Sequence, residues 1–241
     1  MNSGIPGLNQ ILGGGLPEKS CLLLHGGPGS GKTTLAIQFL YNGIVKHDEP
    51  GVFISLCENP DDIRKNMQFF GWDLPALEKQ NKLAIIDARP VTYTKDGYIV
   101  PHPSLFKGEK IPFSHISKLI IDSVNAIGAK RLAIDSITVL TTQYDNLPYI
   151  RQGLLGLTQV LGSLDCTTLL LSESKGEHDE GYLERALVPG VLVLYYTRRG
   201  SGMIRAIQVL KLRGSKHSSD IYHMEIGERG ITIHPEERAD L

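Results

Sequence analysis

HGGPGSGKTTL, from His25 to Leu35, is the stretch that decides the fold. Gly26, Gly31, Lys32 and Thr33 satisfy the pattern G-x-x-x-x-G-K-[ST]. The match lies between a short apolar run, Ser20 to Gly26, and a run from Leu35 to Lys46 whose apolar residues have helical spacing. Strand, glycine-rich loop and helix follow one another as a phosphate cradle requires. The glycines let backbone N–H groups turn inward toward phosphate, and the helix dipole adds positive potential there. Lys32 reaches the outer phosphates, and the Thr33 hydroxyl can ligate Mg2+. The segment Gly26-Gly27-Pro28-Gly29-Ser30-Gly31-Lys32-Thr33-Thr34 is therefore the expected seat of magnesium-ATP. A glycine-rich turn that binds nothing is the ordinary alternative, and the flanking strand and helix weigh against it.

Outward from this loop, GVFISL (Gly51 to Leu56) reads as a second buried strand. Asn59 then offers an N-cap, Pro60 a first helical residue, and Ile63, Met67 and Phe70 one helix face. LAIIDA (Leu83 to Ala88) is a third strand, and Arg89 to Pro112 a polar, aperiodic excursion over the surface. That excursion carries Tyr93, Tyr98, His102 and Phe106, aromatic contact area for a protein partner or for a covering flap. Ile116, Leu119, Ile120, Val124 and Ile127 have the spacing of an amphipathic helix that leads into the strand RLAIDS (Arg131 to Ser136). Helix and strand recur as Pro148 to Leu164 and TTLLLSES (Thr167 to Ser174). The alternation predicts an α/β fold, a mainly parallel sheet flanked by helices on both faces. VLVLYYTRR and IRAIQVLKLR around Gly200-Ser201-Gly202, then IYHMEI and GITIHP, predict a C-terminal antiparallel extension.

The 241 residues show no linker or shift of composition, so residues 1–241 are expected to form a single domain. With 25 basic and 26 acidic side chains the formal charge is -1, which gives no global pull toward nucleic acid. Cys21, Cys57 and Cys166 are too scattered for a disulfide framework or a zinc site and fit a reduced, cytoplasmic protein. No apolar run approaches the roughly 20 residues that span a bilayer, and no membrane is expected.

Asp135 ends the apolar strand RLAIDS, where a carboxylate can hold magnesium together with Thr33. A strand-end aspartate that caps a turn is the alternative. Glu58 follows the second strand at the same carboxyl edge of the sheet, so it can orient an attacking water, or it is an exposed loop glutamate. Glu173 is a further candidate on the same logic, with Ser172 beside it as a possible phosphate sensor. His25 reads as a packed strand-end residue and Trp72 as a core or interface anchor. Arg198 and Arg199 close a strand whose faces alternate from Tyr195 onward, and either is a candidate for a subunit interface.

GIPGLNQILGGGLPEKSCLLLHGGPGSGKTTLAIQFLYNG, RLAIDS and VLKLRGSKH together resemble the single-domain KaiC branch of the RecA-like P-loop NTPases, from roughly Gly4 to Pro235. The phosphate loop is shared by many NTPases, whereas GIPGL, ILGGG and K-x-R-G-S belong more closely to this branch. The resemblance implies an ATPase core that assembles as a hexameric ring with nucleotide between subunits. It also implies that Lys211 and Arg213, with His217 beyond them, reach the neighbour's nucleotide. On a strand, positions 211 and 213 share a face, so both cations can be aimed together. Such domains usually carry two adjacent glutamates after the second strand; here the pair is Cys57-Glu58. A neutral thiol is a poor replacement for a carboxylate. The clock protein of this family has two such domains and a phosphorylated tail, so neither clock function nor autophosphorylation is carried over.

Three functions share this core. The first is an ATPase in which Lys32, Glu58, Lys211 and Arg213 serve catalysis while Thr33 and Asp135 hold the metal. The second is a regulatory or scaffold module that uses ATP to hold a ring together, which Cys57 favours. The third, a DNA-binding recombinase, is disfavoured. The phosphate loop starts close to the amino terminus, and the segments Thr141 to Asn146 and Lys175 to Tyr182 carry Asp145, Glu177, Asp179 and Glu180 and little positive charge.

Overall fold

The computed structural model describes residues 1–93, 99–101, 110–174 and 182–241. In chain order the elements are α1 (Leu8–Ile11), β1 (Cys21–Gly26), α2 (Lys32–His47), β2 (Gly51–Ser55), α3 (Pro60–Gln68), α4 (Leu74–Lys79) and β3 (Leu83–Asp87). They continue with β4 (Val91–Tyr93), β5 (Ile99–Pro101), α5 (Phe113–Ile127), β6 (Arg131–Asp135), α6 (Thr138–Thr142), α7 (Leu147–Ser163) and β7 (Thr167–Glu173). The last elements are α8 (Tyr182–Leu187), β8 (Gly190–Arg199), β9 (Gly202–Leu212), β10 (Ile221–Gly227) and β11 (Gly230–Arg238).

Nine strands form one sheet in the order β11-β10-β9-β8-β1-β7-β6-β2-β3. The strands from β3 to β1 are parallel, and β9, β10 and β11 continue antiparallel as expected. One assignment shifts. β8, read from the sequence as the first strand of the antiparallel extension, also pairs in parallel with β1, Leu194 lying opposite Gly26. The hairpin at Gly200 therefore grows out of the parallel sheet instead of being added to its edge. The excursion also changes in part, because Val91–Tyr93 and Ile99–Pro101 pair as a separate two-stranded ribbon. Tyr98, His102 and Phe106 lie outside the described residues, as do Lys175 to Gly181.

Successive side chains of a strand point to opposite faces, and β1 is apolar on both. Leu22 and Leu24 join the core under α2, with Phe39, Leu40 and Phe53, while Cys21 and Leu23 join the core under α5 and α7, with Ile116, Leu154 and Leu157. Asn59 caps α3 by accepting from the Asp61 N–H, with Pro60 in the first turn. Trp72 is buried, its ring 5.5 Å from that of Tyr41 and 4.9 Å from that of Phe70, and serves as a core anchor. Cys21 and Cys166 are buried, and Cys57 is exposed. No helix among the described residues is long and apolar enough to cross a membrane.

The amino-terminal segment is tied down by an ion the sequence does not advertise. Arg131, at the start of β6, has none of its side chain exposed. Its Nε donates to Glu49 at 2.7 Å, its Nη1 to the Phe39 carbonyl at 2.8 Å, and its Nη2 to the Asn2 carbonyl at 2.8 Å. The guanidinium also lies over the Phe39 ring. The two motifs on which the family resemblance rests meet each other. Ser215 Oγ donates to the Leu12 carbonyl at 2.6 Å and the Ser218 N–H to the Ile11 carbonyl at 3.0 Å. At Gly13, φ is +75° and a Cβ would come within 2.9 Å of the Lys216 carbonyl oxygen, so only glycine fits.

Removing the buried Arg131 side chain opens a cavity and leaves the Phe39 and Asn2 carbonyls and the partly exposed Glu49 without their donor, at a cost of about 3–5 kcal/mol. Arg131→Ala is expected to lower unfolding stability by that amount in urea melts, with a smaller loss for Arg131→Met, which refills the volume. A change under about 1 kcal/mol in Arg131→Ala would contradict the anchoring role.

Candidate nucleotide site

The phosphate loop runs from the end of β1 into α2, at the carboxyl edge of the parallel strands. Gly31 caps α2 with φ +99°, a left-handed conformation that releases the loop into the helix. Ser30 Oγ donates to the Gly27 carbonyl at 2.8 Å, closing the loop on itself. The Lys32 ammonium, largely buried, donates to the carbonyls of Gly26 and Gly27, each at 2.9 Å. Around it opens a cavity of about 370 Å³ lined by Pro28, Gly29, Gly31, Lys32, Thr33, Thr34, Cys57, Glu58, Asp135, Glu173 and Ile226.

Loop, strand-end aspartate and post-β2 glutamate are thus brought together although they lie far apart in sequence. Thr33 Oγ1 donates to Asp135 Oδ2 at 2.6 Å, so hydroxyl and carboxylate already share one locus. An alcohol oxygen and a carboxylate are the hard oxygen donors that Mg2+ prefers, and Thr33 and Asp135 fit that ion. Burial pushes the Asp135 carboxyl up to about 6, opposed by the Thr33 hydrogen bond and by Lys32, while the charges of Glu58 and Glu173 add to the rise. Burial also holds Lys32 below its ordinary range, with Glu173 and Asp135 pulling the other way. Glu58 is held above the ordinary carboxyl value by desolvation and by Asp62. Desolvation and the Asp135 charge push the Cys57 thiol up to about 11, so it faces the cavity as a neutral thiol.

Glu173 ends β7 directly opposite Gly26, its N–H donating to Thr138 Oγ1 at 2.8 Å. Ser172 does not line the cavity. It is buried, 2.8 Å from His25 Nδ1, and ties β7 to β1 beneath the loop. His25 is a packed strand-end residue accordingly.

Lys211, Arg213 and His217 lie elsewhere. Leu194 is level with Gly26 on β8 and faces Ile207 on β9, whereas Lys211 faces Val191 near the other end of the hairpin. Three residues along β8, from Leu194 to Val191, put Lys211 roughly 10 Å further from the chain's own phosphate loop. Burial, and then the neighbouring Arg213 charge, hold the Lys211 ammonium below its ordinary range, so the two cations lie near each other. β9 ends at Leu212, Lys211 Nζ donates to the Arg185 carbonyl at 2.8 Å, and Arg213 is exposed in the turn beyond. His217 Nδ1 is 2.9 Å from the Ser218 carbonyl.

Sequence reading missed three neighbours of the loop. Arg205 Nε donates to the Gly29 carbonyl at 3.1 Å, its guanidinium stacks 4.3 Å from the Tyr196 ring centre, and Ile226 closes the cavity over Gly31. They reside on β8, β9 and β10, and only the strand register brings them to the loop. No local pattern marks them.

The chain matches the family model described as "ATPase: KaiC" over residues 1–238. It is 37% identical over 246 residues to a UPF0273 protein of Methanocaldococcus jannaschii, covering 98% of this chain and 96% of that one. It is also 37% identical over 236 residues to the circadian clock oscillator protein KaiC of Parathermosynechococcus lividus, covering 97% of this chain and 42% of the longer protein. The crystal structure of a KaiC-like protein of Pyrococcus horikoshii superposes with a TM-score of 0.82 at 35% identity, over 98% of both chains.

A carboxyl whose pKa is raised by folding is favourable while protonated and loses that contribution as pH rises through the folded value. A rise of Asp135 from 3.8 to about 6 therefore costs on the order of 2–3 kcal/mol above pH 6. Asp135→Asn, measured without nucleotide, is expected to melt higher than wild type at pH 7.5, with the gain shrinking as pH falls below about 6 toward 4. A pH-independent difference would show that the carboxylate charge is not the cause.

Proposed function

The chain belongs to the KaiC family of ATPases, and from that premise we propose that it is a single-domain, magnesium-dependent ATP hydrolase of the cytoplasm, working as a hexameric ring with nucleotide at subunit boundaries. The observation that carries this reading is the convergence of Lys32, Thr33, Asp135 and Glu58 on one cavity at the carboxyl edge of the sheet. Backbone N–H groups of Gly29 to Thr33 and the α2 amino terminus hold the phosphates, and Lys32 exchanges its carbonyl partners for outer phosphate oxygens. Mg2+ bound at Thr33 and Asp135 would neutralise charge building on the transferred phosphoryl group. Glu58, its carboxyl raised toward the working pH, orients the attacking water and takes its proton. Ile226 offers an apolar wall for the remainder of the nucleotide.

Lys211 near the end of β9 and Arg213 in the turn beyond it sit away from their own loop, which supports a role at the adjacent subunit's nucleotide, with His217 beside them. An arginine supplied across a boundary contributes about 10³–10⁵ in turnover in related phosphoryl transfers. The competing reading, a ring clamped by ATP with little turnover, is favoured by Cys57, which places a neutral thiol where the family resemblance implies a second carboxylate. The nucleic-acid reading gains no comparable support.

The rate of magnesium-ATP hydrolysis per subunit is expected to climb with protein concentration and then plateau. Glu58→Gln should cut kcat by about 10²–10⁴ while ATP still binds. Arg213→Ala should abolish the concentration-dependent gain, and mixing it with Lys32→Ala chains should restore part of the turnover. ATP binding with no hydrolysis at any concentration would hand the reading to the clamp.

A further inference from the structure

We propose that the open face of the β10–β11 hairpin carries a second, separate metal site, in which His234, Glu236 and Glu237 bind a divalent cation of the zinc class. One ligand atom from each of these residues lies within 4.8 Å of the others. Ligands about 2.1 Å from a tetrahedral zinc stand about 3.4 Å apart. His234 Nδ1 is already 3.5 Å from Glu236 Oε1, so closing the set needs only modest side-chain rotation.

Backbone register builds this cluster. His223 pairs with His234, but the next residue back on β10, Tyr222, pairs with Arg238. Pro235, Glu236 and Glu237 are therefore pushed out as a bulge, and Pro235 has no N–H to lose from the ladder. A regular strand would send Glu236 and Glu237 to opposite faces; the bulge gathers both against His234.

The other side of the imidazole is also arranged. His234 Nε2 lies 3.4 Å from Glu225 Oε1 across the strand pair. A carboxylate on the far nitrogen is the usual support for a metal-binding histidine, since it fixes the ring and leaves the near nitrogen as the donor. Arg238 does not compete for these carboxylates, because it is engaged by Asp220 at 2.9 Å. The His223 ring stands 5.8 Å from that of His234, and its Nδ1 is buried without a hydrogen-bond partner. Three oxygen and nitrogen donors, two of them anionic, suit zinc, cobalt or nickel better than a hard cation that needs six oxygens. The site lies on the sheet face away from α2, separate from Thr33 and Asp135. The ordinary alternative is a protonated His234 bridging Glu225 and Glu236 with no metal.

Titration of the full chain with Zn2+ at pH 7.5, without nucleotide, tests this by calorimetry and by metal content after dialysis. The expected result is one zinc per chain that is lost in His234→Ala and in Glu236→Gln/Glu237→Gln. Glu225→Gln should weaken it at least tenfold without changing the stoichiometry. Bound Co2+ should lack the sulfur charge-transfer band that a Cys57 site would give, and the ¹⁵N shift of one His234 ring nitrogen should move while the other remains protonated. Glu225, Glu236 and Glu237 are exposed and His234 is partly exposed, and thermal unfolding of the variants in EDTA should match wild type. Zinc uptake unchanged by His234→Ala, uptake of sulfur-ligated cobalt only, or a proton on both ring nitrogens at saturating Zn2+ would each overturn the site. ATPase assays are not its readout, so failure here leaves the phosphate-loop reading intact.

Discussion

The buried guanidinium of Arg131 fixes the frame within which the nucleotide site is built. An ion fully removed from water is tolerable only when its donors are all spoken for. Arg131 spends its hydrogen bonds on Glu49, on a carbonyl of α2 and on the amino-terminal strand of chain, as well as stacking on Phe39. The helix that begins at the phosphate loop is thereby clamped at its far half to the start of β6, whose other end presents Asp135. The phosphate loop and the Asp135 carboxylate thus sit at the ends of two rods joined by one cation. Gln38 adds a second clamp, donating to the Ile231 carbonyl and accepting from its N–H, which ties the same helix to β11.

At the carboxyl edge this frame gathers Asp135, Glu58 and Glu173 around a single lysine, an arrangement that repels itself. The Asp135 carboxyl, raised first by burial, is raised further by the charges of Glu58 and Glu173. A folded protein keeps such a concentration of like charge only where the surrounding packing outweighs it, and a bound polyvalent cation is the natural relief. Cys57 lowers the charge by one relative to a paired-glutamate arrangement, which eases the repulsion and removes a potential base together.

How much of this could be read from the chain depended on distance along it. The phosphate loop, Asp135, the Asn59 cap and the parallel strands are legible because each is a local pattern of a few residues with a physical reason for its spacing. Glu58 could be placed at the right edge because every parallel strand ends there. What could not be read were contacts set by register. β8 gave no sign that it would pair with β1, because an apolar run fits either direction of neighbour. Arg205 and Tyr196 looked like ordinary strand residues, and nothing in RLAIDS distinguished a fully buried arginine from a surface one. That β9 would end at Leu212, leaving Arg213 in the turn that runs toward Leu12 yet still beside Lys211, had no local signal either.

That turn ties the start of the chain to its basic loop. Ile11, Leu12 and Gly13 hold the segment from Ser215 to Ser218, which continues directly from Arg213. The chain's own phosphate loop stands at the far edge of the sheet. If Arg213 serves the adjacent subunit, damage at Gly13 becomes a defect that a chain exports: its own nucleotide pocket stays whole while the next one around the ring is impaired. Heterozygous mixtures of such chains would then show faults distributed by neighbour order and not by which chain carries the change.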